Sequence, residues 1–229
     1  MKRMVKLIAR PEPIEIEPAK TALVVVDMQN AFASKGGMLD LFGLDISGAA
    51  EVVRVNRRLL DACRASGIRV VYLQMTYSED LADAGGPDSP NYHKELGMVL
   101  MRRQRELRGR ILVRGTWDWE IVAGLAPRPG DVVLEKTRYS GFCRTGLADI
   151  LRDMGIRNLL FTGIATNICV ESTARDGYFE EFWPILIEDA VNHAGPDFMR
   201  QATVWSFENV FGWVTGSREV LAALAEQVR

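Results

Sequence analysis

Five short apolar runs, each meeting a polar residue at or near its end, set the tightest constraint on how this chain can fold. ALVVVD (22–27), IRVVYLQ (68–74), DVVLEK (131–136), NLLFTGI (158–164) and WPILIEDA (183–190) are rich in β-branched residues, a composition that fits pleated, buried surfaces. They are continuous rather than alternating, so both faces must be covered, as in a parallel sheet. Helical spacing fills the stretches between them. One helix is predicted from Ser47 to about Ser66, with Ser47 as N-cap, Val52, Val55, Leu59 and Leu60 on its apolar stripe and Gly67 at its end. Others are predicted over Thr145–Met154, 167–181 and 196–209, followed by a short strand at 211–215 and a C-terminal helix capped by Ser217. Strands alternating with helices define an α/β fold with a mostly parallel sheet.

No repeat or linker divides the chain, so one domain over 1–229 is expected. Two segments stand apart from the alternation. PEPIEIEP (11–18) reads as an extended stretch, placing an N-terminal strap over 1–20. Residues 75–100, rich in Gly, Pro, Asp and Ser, are too long for a plain connection and read as a lid-like insertion, with a decorated surface loop or an oligomer contact as the alternative.

Charge narrows the function classes. With 28 Lys and Arg against 30 Asp and Glu, and a pI of 5.8, the chain lacks the basic excess of a nucleic-acid binder. No apolar run approaches the ~20 residues of a membrane-spanning helix, and the basic opening MKRMVKLIAR is too interrupted for a signal peptide. Three cysteines, an odd number, make no disulfide framework and fit a reducing cytoplasm. Only His93 and His193 are available as histidine ligands, so no metal and no cofactor are expected.

Ligands of parallel α/β sheets bind beyond the carboxyl ends of the strands. That rule selects Asp27, ending the first apolar run, Lys136, ending DVVLEK, and Cys169 in GIATNICVEST (163–173), just past NLLFTGI. A cysteine at a helix N-terminus meets unpaired N–H groups that favour its thiolate. Cys63 falls on an apolar helical stripe and belongs to the core; Cys143 lies in a loop after Lys136. The five arginines of RRQRELRGR (102–110) read as a solvated helix face or an oligomer contact, and Trp117 and Trp119 as core or interface anchors. Gln74 and Asn30 are strand-end polar residues, Tyr92 and His93 lie in the lid-like insertion, and Tyr139 closely follows Lys136.

ALVVVDMQNAF, EKTRYSGF and FTGIATNICVEST, in that order, resemble the signature segments of the isochorismatase-like cysteine hydrolases, over about residues 18–225. AGGPDSPNYHK, RGTWDWE and the late FGWV are further similar to the ureidoacrylate amidohydrolases of pyrimidine catabolism. The resemblance implies a three-layer α/β/α fold with a six-stranded, mostly parallel sheet, in dimers or tetramers. It implies a catalytic triad of Asp27, Lys136 and Cys169, and a cis peptide at Ile164–Ala165 that aims the Ala165 N–H, with that of Cys169, at a substrate oxyanion. The metal-binding Asp-x-His-x-x-His pattern of nicotinamidases has no counterpart in QMTYSEDLADA (74–84). Phe32, Gln74, Met75, Tyr77, Tyr92 and Tyr139 are the expected substrate contacts. The implied substrate is ureidoacrylate or its peroxy form, with biuret, triuret or an N-carbamoyl compound as alternatives, and a non-catalytic binding protein as the alternative outside the class.

Overall fold

A computed structural model describes residues 4–226; the first three residues of the strap lie outside them. Six strands form one parallel sheet: β3 (Thr21–Val26), β4 (Arg69–Met75), β5 (Val132–Lys136), β6 (Asn158–Ile164), β7 (Trp183–Asn192) and β8 (Trp213–Thr215). Their spatial order is β5-β4-β3-β6-β7-β8. The chain lays β3, β4 and β5 outward in one direction and returns to start β6 on the other side of β3. The reversal falls between β3 and β6, where open α/β sheets bind their ligands.

The continuous apolar runs are explained by which side chains go to which face. Leu23 and Val25 of β3 pack with Val52, Val55, Leu59 and Leu60 of α1 (Ala49–Ala65) and with Val220 and Leu224 of α6 (Ser217–Ala225). Ala22, Val24 and Val26 pack on the opposite face with Leu147 and Leu151 of α3 (Leu147–Asp153), Ala174 of α4 (Glu171–Phe179) and Phe207. Helix α5 (Asp197–Ser206) follows β7, and α2 (Leu96–Arg103) precedes β5 in the chain. The expected three-layer α/β/α architecture is therefore the observed one.

Local details depart from the sequence expectation for identifiable reasons. Ser47 does not cap α1; its N–H and hydroxyl both bond the Asp45 carboxylate, and Gly48 stands at the cap instead. Helix α1 does end at Gly67, whose φ of 80° lets the Ile68 N–H return to the Cys63 carbonyl at 3.0 Å. The stretch expected as one helix from 167 begins as a π-helical turn, with the Val170 N–H on the Ala165 carbonyl at 3.1 Å, before α4 starts at Glu171. Within the strap, β1 (Val5–Leu7) pairs with β2 (Ile14–Ile16), and the Arg10 backbone bonds Val214 of β8. The insertion packs firmly: Tyr77 is fully buried, its N–H bonds the Leu112 carbonyl at 2.8 Å, and Asn91 donates to the Tyr77 hydroxyl and the Ala84 carbonyl, each at 3.0 Å. No helix among the described residues is long and apolar enough to cross a membrane.

Gly163 marks the closest backbone approach at the reversal. It has φ 114°, and a Cβ placed there would lie 2.0 Å from the Val26 carbonyl oxygen. Gly163→Ala is expected to destabilise the fold by more than about 3 kcal/mol, since neither the dihedral nor the space admits a side chain. Thermal unfolding checks this, with Gly86→Ala, where a Cβ meets nothing, as the milder control.

Candidate active site

Asp27 leaves the end of β3 with φ 48°, a left-handed conformation that Asp tolerates better than most residues. Its N–H still bonds the Leu73 carbonyl of β4 at 2.9 Å, so the turn occurs while the sheet holds it. The carboxylate then accepts the Met75 N–H on Oδ1 at 3.1 Å. Gln29, two residues on, grips the same strand end: its Oε1 accepts the Met75 N–H at 2.8 Å and its Nε2 donates to the Met75 carbonyl at 2.9 Å.

Lys136 sits opposite Met75 in the register of β5 on β4, two strand spacings from β3. Only a long side chain bridges that ~10 Å. Its ammonium passes Met75 Sδ at 3.6 Å, donates to the Arg138 carbonyl at 3.2 Å and reaches Asp27 Oδ2 at 2.7 Å. Both side chains of this ion pair are wholly buried. Cys169 comes from the π-helical turn after β6, which places its thiol beside Asp27 and Lys136, close enough for each to act on the others' ionisation. Thr173 secures the turn, donating to the Cys169 carbonyl at 2.6 Å while accepting the Gly141 N–H at 2.9 Å. The structure thus brings together the three residues selected at the strand ends.

The electrostatics differ from the expectation of a preformed thiolate. Burial pushes the Cys169 thiol well above its ordinary 9.0, and Asp27 and Glu95 push it further, against the pull of Lys136. Burial raises Asp27 above 3.8 while Lys136 opposes it. Burial works to lower Lys136, but its acidic neighbours, Asp27 first, outweigh it and raise its pKa. The 2.7 Å ion pair has Asp27 as the carboxylate and Lys136 as the ammonium, and burial favours the neutral thiol at Cys169. Cys63, deep in the core, is pushed up to about 12 by burial, as an inert core residue should be.

A small, largely apolar cavity opens over Cys169, lined also by Phe32, Met75, Glu95, Tyr139 and Ala165. The Ile164–Ala165 peptide bond at its edge is cis. Three of the expected contacts lie elsewhere. Gln74 donates to the Trp119 carbonyl at 3.0 Å, on the opposite side of the strand from Met75. Tyr77 is held by Asn91 beneath the insertion. Tyr92 lies under the Arg102 guanidinium, 4.7 Å from its ring centroid, in a separate groove that Arg105 and Arg108 also line. Among the described residues, no three His, Cys, Asp or Glu side chains form a group able to hold a metal.

Sequence reading missed Gln29, Glu95 and the part played by residues 117–119. The Trp117 carbonyl accepts from Asn30, and the Trp119 carbonyl from both Gln29 and Gln74. Asp118 accepts the Met38 and Leu112 N–H groups. A signal existed in RGTWDWE, whose buried acid between two tryptophans is an unusual loop composition.

Residues 21–219 match the isochorismatase domain model. The chain belongs to the isochorismatase family. Curated relatives of this family member include a ureidoacrylate amidohydrolase, RutB, from Rhizobium rhizogenes, 50% identical over 97% of the chain and 90% of the relative. Among solved structures, a cysteine hydrolase from Pseudomonas syringae pv. phaseolicola superposes with a TM-score of 0.77 at 29% identity, covering 98% of each chain. An N-carbamoylsarcosine amidase from Thermoplasma acidophilum gives a TM-score of 0.64 at 30% identity, covering 86% of this chain and 96% of that one. The family and fold expected from the signature segments are those found.

Lys136→Met, which leaves Asp27 buried without its counter-charge, is expected to cost about 3–5 kcal/mol of stability. Urea unfolding measures it, and adding Asp27→Asn in the same chain should recover part of the loss because no lone charge remains.

Proposed function

We propose that the protein is a cysteine-dependent amidohydrolase that cleaves ureidoacrylate or peroxyureidoacrylate. The observation that carries this reading is that Cys169, lining a small cavity, lies beside the buried Asp27–Lys136 pair; the relatives named as ureidoacrylate amidohydrolases supply the substrate.

In this mechanism the Cys169 proton passes to Asp27 as sulfur attacks the ureido carbonyl carbon. The oxyanion that forms faces the Ala165 and Cys169 amides, in a cavity whose low polarity strengthens those hydrogen bonds. Collapse breaks the bond to the nitrogen carrying the acrylate, and that nitrogen takes the proton from Asp27 and leaves as aminoacrylate. A carbamoyl group remains on Cys169 as a thiocarbamate. Asp27 then accepts a proton from water, the resulting hydroxide adds to the carbamoyl carbon, and carbamate departs as the thiol is restored. Lys136 stays an ammonium throughout, orienting Asp27 and stabilising sulfur when it is anionic. Phe32, Met75 and Tyr139 shape the walls.

The three cysteines, all free, suit action in the reducing cytoplasm. Exposed Phe179, Phe198, Trp205 and Val210, grouped on α4, α5 and the turn after it, are apolar surface that assembly into a homo-oligomer would cover.

Cys169→Ala is expected to lower ammonia release from ureidoacrylate by at least about a thousandfold, while mass spectrometry of the wild type during turnover should find one carbamoyl group on Cys169. Full turnover by the variant would remove this mechanism. The acid limb of kcat/KM is expected above pH 3.8, the ordinary aspartate value. Asp27 must be ionised to accept the thiol proton, and burial raises its pKa, so activity falls earlier on acidification than for an exposed carboxylate. A pH–rate profile measures it.

A further inference from the structure

The cavity over Cys169 contains one charged side chain that this reaction does not use. Glu95 is 2% exposed and is the only charged residue lining that cavity. It stands at the cap of α2, with Oε1 accepting the Gly97 N–H at 3.0 Å and Oε2 the Met98 N–H at 2.8 Å. A carboxylate has about four acceptor positions. The two backbone N–H groups take one on each oxygen and fix the group, and the remaining capacity is available on the side that lines the cavity.

The other walls offer little that a polar ligand can use. Phe32, Met38, Leu39, Met75, Leu96 and Ile168 are apolar. Tyr139 adds a phenol hydroxyl, with one O–H to donate. The cavity therefore presents one fixed anionic acceptor and one neutral donor beside a nucleophile. A neutral group with N–H donors matches it; a carboxylate beside Glu95 would be repelled and left without a cationic partner.

We propose that Glu95 is a specificity-determining residue, accepting an N–H of the substrate's terminal carbamoyl NH2 and barring acidic groups from that end of the cavity. This rests on the reading that Cys169 attacks a ureido carbonyl. The acrylate carboxylate then points away from Glu95, towards the cavity mouth. Because Glu95 also starts α2, the residue that reads the carbamoyl group is the same one that anchors the insertion over the strand ends.

The test compares two nearly isosteric substrates, ureidoacrylate and 3-acetamidoacrylate, in which CH3 replaces the terminal NH2. The acetyl carbonyl is the better electrophile, since it lacks a second nitrogen donating into it, so reactivity alone favours the acetamido compound. The wild type is expected to prefer the ureido compound in kcat/KM by at least about a hundredfold. Glu95→Ala should shrink that ratio by at least about tenfold, through a raised KM and lowered kcat/KM for the ureido substrate. Glu95→Asp keeps a good helix cap but withdraws the carboxylate by one methylene, and should shrink the ratio similarly with little change in Tm. An unchanged ratio in either variant that folds, even with a lowered Tm, assigns Glu95 to helix capping alone and overturns the proposal. Equal use of both substrates by the wild type overturns it without any variant. A wild type that hydrolyses neither and forms no carbamoyl adduct instead overturns the ureidohydrolase reading itself.

Discussion

The buried ion pair between Asp27 and Lys136 is the constraint around which the strand ends are arranged. Two charges removed from water incur a desolvation penalty of several kcal/mol each, recovered only with close geometry and further hydrogen bonds. Here the 2.7 Å contact is supplemented by the Met75 N–H on the carboxylate and the Arg138 carbonyl on the ammonium. Those partners lie on three different segments, so the pair is satisfied only when β3, β4 and β5 are in register. Edge strand β5, with one neighbour, is thereby tied to the centre of the sheet by a side chain as well as by its ladder.

Irregular backbone does comparable work around the pair. Gln29 closes a two-way amide clasp on Met75, and the carbonyls of Trp117 and Trp119 hold the amides of Asn30, Gln29 and Gln74. Burial raises Asp118 to about 6, against two backbone donors, so its ionised form is strained near neutrality. Such a group persists where the N–H groups of Met38 and Leu112 would otherwise be buried without an acceptor. The cavity wall formed by Phe32, Met38 and Leu39 is thus positioned from a segment ~80 residues further along the chain.

The strands and the meeting of Asp27, Lys136 and Cys169 at their ends were legible in the sequence because both follow from local rules. Apolar runs mark strands, and the residue ending a parallel strand faces the ligand site. Positions fixed by tertiary pairing were not legible: Gln29 and Glu95 acquire their meaning only from Met75 and from the start of α2. Gln74 and Tyr77 were expected at the substrate with Met75, yet successive strand residues face opposite ways, and Tyr77, past the end of β4, is drawn beneath the insertion by Asn91 and the Leu112 carbonyl. Met75 faces the cavity, so its neighbour Gln74 cannot. The π-helical turn at Thr166–Val170 was read as ordinary helix because nothing in ATNICV distinguishes an i→i+5 bond from an i→i+4 bond.

The unreactive resting thiol follows from the same burial that makes the pair costly. In a dry site a free thiolate would be a third charge, and Asp27 and Glu95 both oppose it. Moving the proton from sulfur to Asp27 leaves the total unchanged: carboxylate, ammonium and thiol become carboxylic acid, ammonium and thiolate. The negative charge shifts between two groups whose charges both act on Lys136, so the ammonium need not move far to follow it. Electrostatic stabilisation is most effective when the stabilising group is already in place as charge develops. An open, wet site would instead solvate Asp27 and weaken its pull on the thiol proton. Burial here raises the cost of a standing nucleophile and lowers the cost of making one in contact with substrate.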